Sequence, residues 1–392
     1  MDRAQISIAL PIRWGYDSLP HICFVAPHAW PVLSGSREIT FVGGAEVQQC
    51  LIARGLAGRG YAVSMLCLDY GQPEMVEIDG IRVHSLYRPS AGIPILRFLH
   101  PRLSSLWRGM RTVDADIYYQ RGSDMHTGIV AAFSHRYRKQ SVFASASNAD
   151  FYPDKPWIRY RRDKWLFEYG LQRVGAIVAQ NPMQQQLCRQ NYGRDATLIR
   201  SCGPITSAKA DPHGDMLWVG TIKPIKSPER LIELARKLPE CRFTMIGGPD
   251  GSDTESRRYY DSIRSQAALL PNLTFAGFVH PADVEPYFGR ARLFINTSDT
   301  EGFPNTFLQA WSRGIPTLSI FDTGSLEDDQ PVCATAPSLD GLVELARTLS
   351  YDDVLWQAFG ERCRQHYLRL HSLPIVLDTY ERLFQNLCDS PR

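Results

Sequence analysis

The chain has 392 residues, 44% of them hydrophobic, a length and apolar share that suit two domains of ordinary size. The net charge of +2 hides an asymmetry: residues 1–205 hold 24 Lys and Arg against 16 Asp and Glu, and the remainder 19 against 25. The basic excess sits in loops and amphipathic segments without a recognisable binding module, so nucleic acid is not an expected partner. No run approaches the ~18 apolar residues of a membrane-crossing helix. The first twenty residues carry a short apolar patch broken by Pro11 and Arg13. They do not read as a signal peptide, and the expectation is a cytoplasmic protein with a poorly ordered leader.

His21–Ala26 (HICFVA) reads as a first buried strand. A loop rich in Pro, Gly and Ser leads to Gly43-Gly44-Ala45-Glu46. Val47, Leu51, Ile52 and Leu56 then recur at helical spacing, with Gly58 and Gly60 as stop signals. Strand, glycine loop and helix form a unit that presents a helix N-terminus to phosphate. The glycine pair either lets the backbone approach a ligand or makes a tight turn. Further strands are expected at Tyr61–Cys67, Arg82–Leu86, Ile117–Gln120, Ser141–Ala144 and Ala176–Ala179, with helices between most of them. Such alternation argues for a parallel sheet covered on both faces.

Residues 88–111 hold five arginines and no acid, interleaved with Ile95, Leu96, Phe98, Leu99, Leu103, Leu106 and Trp107. A basic, aromatic, amphipathic segment suits an anionic membrane surface, and equally a helix packed on the sheet with solvated arginines. Residues 156–173 are also basic and aromatic and read as a core-packed helix. The nine cysteines are scattered without a Cys-x-x-Cys pair, so they read as reduced thiols and no metal site is expected.

A second strand series opens with Asp215–Gly220, after a linker-like Asp211–Gly214. Ser227 or Pro228 starts a helix with Leu231, Ile232, Leu234, Ala235 and Leu238 on one face. Strands at Cys241–Ile246, Asn272–Ala276, Leu293–Ile295 and Pro316–Ile320 alternate with helices near 255–269, 282–290 and 304–313. Within this run, Asn296–Gly302 is a small, polar loop and Pro304 fits the first position of a helix. Phe307, Leu308 and Trp311 follow at helical spacing, and Gly314 with Pro316 ends it. A helix that starts straight after a strand's C-terminal end points free N–H groups into a crevice, a common diphosphate site. A last amphipathic helix spans Ile375–Leu387.

Taken in order, Gly43–Glu46, Gly220 with Lys226, Gly247-Gly248, and Glu301 to Gln309 followed by Gly314-Ile315-Pro316 resemble the signature set of retaining glycosyltransferases of family 4. The resemblance covers most of the chain beyond the leader. It implies the GT-B fold: α/β, two doubly wound Rossmann-like domains facing across a cleft, with the C-terminal helix crossing back. The expected division is a leader at 1–20, an acceptor-side domain at 21–208, a nucleotide-sugar domain at 209–372, and a returning helix at 373–392.

The same resemblance implies the roles. Glu301 lies beside the transferred sugar, and Gly302, Phe303, Pro304, Asn305 and Thr306 form the sugar- and phosphate-binding loop and helix start. Gln309 stands where the family has a second Glu for the ribose, so weaker ribose binding is expected. Lys226 matches the family's diphosphate lysine, whereas Thr221 replaces its arginine. Lys223 reads either as part of the missing charge or as a solvated loop residue. Gly43, Gly44 and Gly247 would approach the nucleotide, and the backbone near Val279 the base. Many members place a histidine over the reacting sugar. Here no histidine stands at the corresponding strand ends; Arg121, Asn148 and Asp150 are candidates there for binding acceptor or donor phosphate, with Asp150 also assigned to catalysis alongside Glu301 and Lys226.

The implied partners are a nucleotide-diphosphate sugar donor and a saccharide or lipid-linked acceptor, in cell-surface polysaccharide or glycolipid synthesis, without metal or organic cofactor. An anionic membrane at residues 88–111 would place the protein on the inner face of the cytoplasmic membrane. The alternative is a non-catalytic nucleotide-sugar binder or partner subunit, motivated by Thr221, Gln309 and the absent histidine.

Overall fold

The computed structural model describes residues 19–37, 43–94, 96–251, 253–299 and 301–389. Most of the leader assigned to 1–20, together with Phe41, Val42 and Ile95, lies outside them. Two sheets organise the chain. The first contains β1 (Ile22–Val25), β2 (Val63–Cys67), β3 (Met75–Ile78), β4 (Ile81–Ser85), β5 (Ile117–Arg121), β6 (Gln140–Ala144), β7 (Ala176–Ala179) and β8 (Thr197–Leu198). Their order across the sheet is β3-β4-β2-β1-β5-β6-β7-β8. The central strands are short and apolar because helices cover both faces: β1, β2 and most of β5 to β7 are buried.

The edge strand β3 was not expected. It pairs antiparallel with β4, through a turn at Asp79 and Gly80 whose φ values are 53° and 76°. An Asp-Gly pair with both φ values positive is the two-residue hairpin signal. The alternating exposure of β3 gives it only half a hydrophobic face.

The second sheet contains β9 (Asp215–Val219), β10 (Phe243–Ile246), β11 (Leu273–Gly277), β12 (Ala291–Asn296), β13 (Thr317–Ser319) and, after the hairpin β14 (Leu326–Glu327) and β15 (Gln330–Pro331), β16 (Cys333–Thr335). The order β11-β10-β9-β12-β13-β16 is that of the doubly wound nucleotide-binding sheet, and its neighbouring pairs are all parallel. The strand order reverses between β9 and β12, so the loops after these two strands part and leave a crevice at their C-terminal ends. In the first sheet the corresponding point lies between β1 and β5. Two helices not anticipated from the sequence, Leu339–Tyr351 and Asp353–Leu370, complete the cover of the second sheet.

Two helices of the first unit, Met125–Tyr137 and Arg161–Arg173, cross almost backbone to backbone. A Cβ at Gly128 would lie 2.1 Å from the Leu166 carbonyl oxygen, and one at Gly170 would lie 2.5 Å from the Thr127 carbonyl carbon. The second of these helices buries Phe167 and Leu171 as a core-packed helix should, although Trp157 and Trp165 near its start remain exposed. Burial pushes the Cys23 thiol above its usual range, and all nine cysteines are free thiols.

The last helix, Leu373–Asp389, crosses back to the first unit. Val376, Leu377, Tyr380, Phe384 and Leu387 join the core built from β1, β2 and β5. Arg59 pairs with Asp378 at 2.7 Å and Glu381 at 2.8 Å, and the Tyr119 and Tyr380 hydroxyls meet at 3.0 Å. The two crossings between the sheets run side by side: Gly203 N–H donates to the His371 carbonyl at 3.0 Å, and Leu373 N–H to the Gly203 carbonyl at 2.9 Å.

Candidate active site

The strand ends of both sheets face a cavity of about 350 Å³. From the second sheet come Gly220, Thr221 and Lys226 after β9, and Asn296, Ser298 and Glu301 to Thr306 after β12. From the first come Gly44 and Ala45 of the helix Gly44–Gly58, Arg121 at the end of β5, Ala146 after β6, Gln180 after β7, and Ser201. Ten of the residues expected from the sequence thus share one cavity: Gly44, Arg121, Thr221, Lys226, Glu301, Gly302, Phe303, Pro304, Asn305 and Thr306.

At its centre Lys226 Nζ donates to Glu301 Oε1. The same oxygen accepts from Ser298 Oγ at 2.7 Å and Asn296 Nδ2 at 3.4 Å. Lys226 sits at the end of a short 3-10 turn, Pro224–Lys226. Ser227, with φ 45°, then turns the chain into the helix Pro228–Lys237. That turn is tied to the other loop: Trp218 Nε1 donates to Thr297 Oγ1 at 2.9 Å, and Thr297 Oγ1 to the Lys226 carbonyl at 2.8 Å. Both members of the ion pair are mostly buried, so low-dielectric surroundings strengthen their attraction.

Two helix starts point at the cavity from opposite sides. Gly43 caps the helix Gly44–Gly58 in an extended conformation. Pro304, with ψ 119°, is the N-cap of the helix Asn305–Trp311 and not its first residue. In each helix the first N–H groups have no intrahelical acceptor. The two sides also touch. Asn305 Nδ2 donates to the Gly44 carbonyl at 3.0 Å, and Gln48 Nε2 donates to Asn305 Oδ1 at 3.2 Å and to the Cys202 carbonyl at 2.8 Å. A Cβ at Gly302 would lie 2.8 Å from the Ala146 carbonyl oxygen, so a glycine here lets the two walls meet.

Several expected residues have other roles. Asp150 is 5% exposed and does not line the cavity. Its oxygens accept from Ser123 Oγ at 2.7 Å, Ala146 N–H at 2.6 Å and Ser147 N–H at 3.1 Å. Burial raises its pKa, and these bonds pull it partly back. It shapes the loop that carries Ala146 and holds no free oxygen toward the cleft. Asn148 Oδ1 accepts from Asn181 Nδ2 at 3.1 Å, away from the lining. Gly43 stands one residue outside the cavity: a Cβ there would lie 2.0 Å from Glu46 Oε2.

Gly247 lies beneath the site and does not line it. A Cβ there would lie 2.0 Å from the Gly220 carbonyl oxygen, so this glycine lets the ends of β9 and β10 close together under the loop bearing Thr221. Lys223 turns away to Asp250 at 3.4 Å. The Val279 side chain packs against the second core, whereas the expectation there concerned its backbone, and Gln309 is half-buried outside the cavity lining. The cavity residues that motif reading missed, Ala146, Gln180, Ser201, Trp218, Asn296 and Ser298 among them, are single residues at or near strand ends. The only signal for them in the sequence was that position.

His371 supports the floor. It is 1% exposed, its ring stacks on Phe303 at 5.0 Å, and its Nδ1–H donates to the Ser201 carbonyl at 2.8 Å. Burial lowers its pKa to about 3, so the folded protein holds it neutral. Below about pH 6.5 the unfolded chain takes up a proton here that the folded chain refuses. Stability is therefore full above that pH and declines toward about pH 3, by up to ~1.4 kcal/mol per pH unit from this group. Burial also lowers His21, His84 and His366. In urea denaturation at pH about 7 and about 5.5, His371→Gln is expected to lose less stability on acidification than wild type. An identical loss would remove His371 from this account.

Two doubly wound sheets that face one cleft, with the last helix crossing back, are the architecture expected of the GT-B fold. Comparisons with known proteins agree. The profile of "Glycosyl transferases group 1" matches residues 213–349, and that of "Glycosyltransferase Family 4" matches residues 42–201. The two follow one another in the order of the two sheets. The chain belongs to the family-4 glycosyltransferases.

D-inositol 3-phosphate glycosyltransferase of Mycobacterium sp. (strain KMS) is 27% identical over 145 residues, which are 34% of this chain and 33% of that protein. The Mycobacterium tuberculosis (strain ATCC 25177 / H37Ra) enzyme is 27% identical over 139 residues, 33% of this chain and 29% of the other. The match thus spans about a third of these relatives. Sucrose-phosphate synthase from Thermosynechococcus elongatus superposes with a TM-score of 0.75 at 15% identity, over 94% of this chain and 99% of that one. Anabaena Alr3699/HepE in complex with UDP and glucose does so with a TM-score of 0.67 at 15% identity, over 94% and 100%. At such identities the likeness is one of fold.

Proposed function

We propose that this glycosyltransferase moves a sugar from a nucleotide-diphosphate sugar to a saccharide or lipid-linked acceptor, with retention of configuration, in the synthesis of a cell-surface polysaccharide or glycolipid. The observation that carries the reading is the Lys226–Glu301 pair, set on the cleft wall between two helix starts. The bond between the anomeric carbon and the phosphate oxygen breaks, and the acceptor oxygen bonds to the same carbon from the same face. The acceptor's proton passes to the departing phosphate. Lys226 and the N–H groups of both helix starts stabilise the negative charge on the leaving diphosphate. Glu301 orients sugar hydroxyls and supports the positive charge at the anomeric carbon. The reaction proposed takes no step through a metal ion. That the similarly folded Anabaena protein carries UDP and glucose supports a nucleotide-sugar donor.

A thermal-shift screen of UDP, GDP and ADP and their sugars tests the donor: one nucleotide series is expected to raise the melting temperature by mass action. No shift with any of them would count against the reading. The second reading, a nucleotide-sugar binder without catalysis, is favoured by the neutral Thr221 on the wall. Donor consumption by the purified chain separates the two.

The acceptor side includes a candidate docking surface. Among the described residues no helix is long and apolar enough to cross a membrane. In the 88–111 segment the helix Ser104–Val113 buries Leu106 and Met110 in the core, whereas Ile93, Leu96 and Leu99 are 68%, 56% and 59% exposed. We propose that these residues, with Arg97, Arg102 and Arg108, rest on an anionic bilayer. Neutralising the three arginines is expected to weaken binding to phosphatidylserine vesicles by about 10²-fold and to leave binding to neutral vesicles unchanged, since each basic residue near such a surface contributes ~1 kcal/mol. Equal flotation of wild type and variant would sink the idea.

A further inference from the structure

The cations of the cleft are unequal. Lys226 already shares its charge with Glu301. Thr221, at the family's arginine position, brings no charge, and Lys223 is drawn off to Asp250. The second-domain wall is therefore one cation short of what a diphosphate asks for. Arg121 stands on the opposite wall, fixed by the pairing of its backbone with Ala144 in the sheet. Its guanidinium donates to a hydroxyl, Ser201 Oγ at 3.4 Å. Its Nε is buried without a partner, and among the described residues no carboxylate pairs with it. A guanidinium left without a counter-charge in a cleft is unfavourable until an anion arrives.

We propose that Arg121 reaches across the cleft to the donor's diphosphate and supplies from the first domain the cation that Thr221 does not supply from the second. The proposal rests on the reading of the cleft as a nucleotide-sugar site. Its consequence is that the phosphates are held by both walls at once, so donor binding and the facing arrangement of the two domains depend on one another. A clamp made only of Lys226 and its neighbours would leave the first domain free to engage the acceptor alone.

The test is calorimetric titration of the full chain with UDP, GDP and ADP and their monophosphates. Wild type, Arg121→Lys, Arg121→Ala, Thr221→Arg and the double variant Arg121→Ala/Thr221→Arg are compared. Wild type is expected to bind one diphosphate more tightly than its monophosphate. Arg121→Ala should weaken that diphosphate by about 10- to 150-fold, the range of one charge-assisted hydrogen bond, and change the monophosphate far less. Arg121→Lys should keep part of the affinity, and Thr221→Arg should restore most of it in the double variant. If Arg121→Ala melts early without ligand, tighter diphosphate binding by Thr221→Arg alone and weaker binding by Arg121→Lys carry the same decision. Arg121→Ala binding the diphosphate like wild type while its acceptor KM rises would overturn the clamp and leave the donor reading standing. Wild type binding none of the probes would overturn both.

Discussion

Replacing Glu301 by Gln is expected to lower sugar transfer by about 10²- to 10³-fold, the scale of one preorganised electrostatic group in an active site, with nucleotide diphosphate binding kept or tightened. The substitution keeps the shape of the side chain, so Ser298 Oγ and Asn296 Nδ2, now at 2.7 Å and 3.4 Å from the carboxylate, still have a polar partner. What disappears is the negative charge proposed to face the sugar. The loss should fall on kcat, because positive charge at the anomeric carbon develops only on the way to the transition state. Lys226, freed from its ion pair, stays available to phosphate. Initial rates of donor consumption and product formation at saturating donor check this. A variant within about threefold of wild type, well short of the effect expected for such a group, would remove Glu301 from the chemistry. A wild type that consumes no donor would favour the non-catalytic binder.

Gly247→Ala is expected to destabilise the protein by about 1–3 kcal/mol and to weaken nucleotide binding without touching the ligand. The new Cβ would lie 2.0 Å from the Gly220 carbonyl oxygen. That atom is backbone at a strand end, so it cannot swing aside as a long side chain can. The ends of β9 and β10 must part, and Gly220 and Thr221 on the cavity wall move with them. Gly58→Ala serves as the control, since nothing lies within 4 Å of its Cβ position and alanine is the better helix former. Thermal unfolding of both variants, with and without nucleotide, decides the matter. A Gly247→Ala protein that melts with wild type would show that the strand ends are looser than described.

Much of the fold was legible because it is written in local signals. β1, β2 and β7 announce themselves as short apolar runs. Ser227-Pro228, Gly43-Gly44 and Pro304 mark helix starts, and the last helix shows its apolar face at helical spacing. The edge strand β3 is less legible, since half its side chains are solvated and only Asp79-Gly80 marks its hairpin. The helices Leu339–Tyr351 and Asp353–Leu370 carry their local signal in Ser338 and Asp352, which cap them.

In the site, the sequence by itself determined the residues that lie together along the chain: Glu301 to Thr306, the Gly44 helix start, and Lys226 in its turn. Each depends on a strand end, a loop and a helix start within some ten residues, and backbone preference settles those. Only the tertiary structure decided which strand-end residues face the cleft. It turned Asp150 inward to backbone N–H groups and a hydroxyl, put Gly247 beneath the site, and sent Lys223 to Asp250. It also brought Gln48, Cys202 and Asn305 together across separations of 154 and 257 residues. The physical reason is that periodicity and capping act over a few residues, whereas the direction of a side chain at a strand end is set by what the opposite wall already occupies.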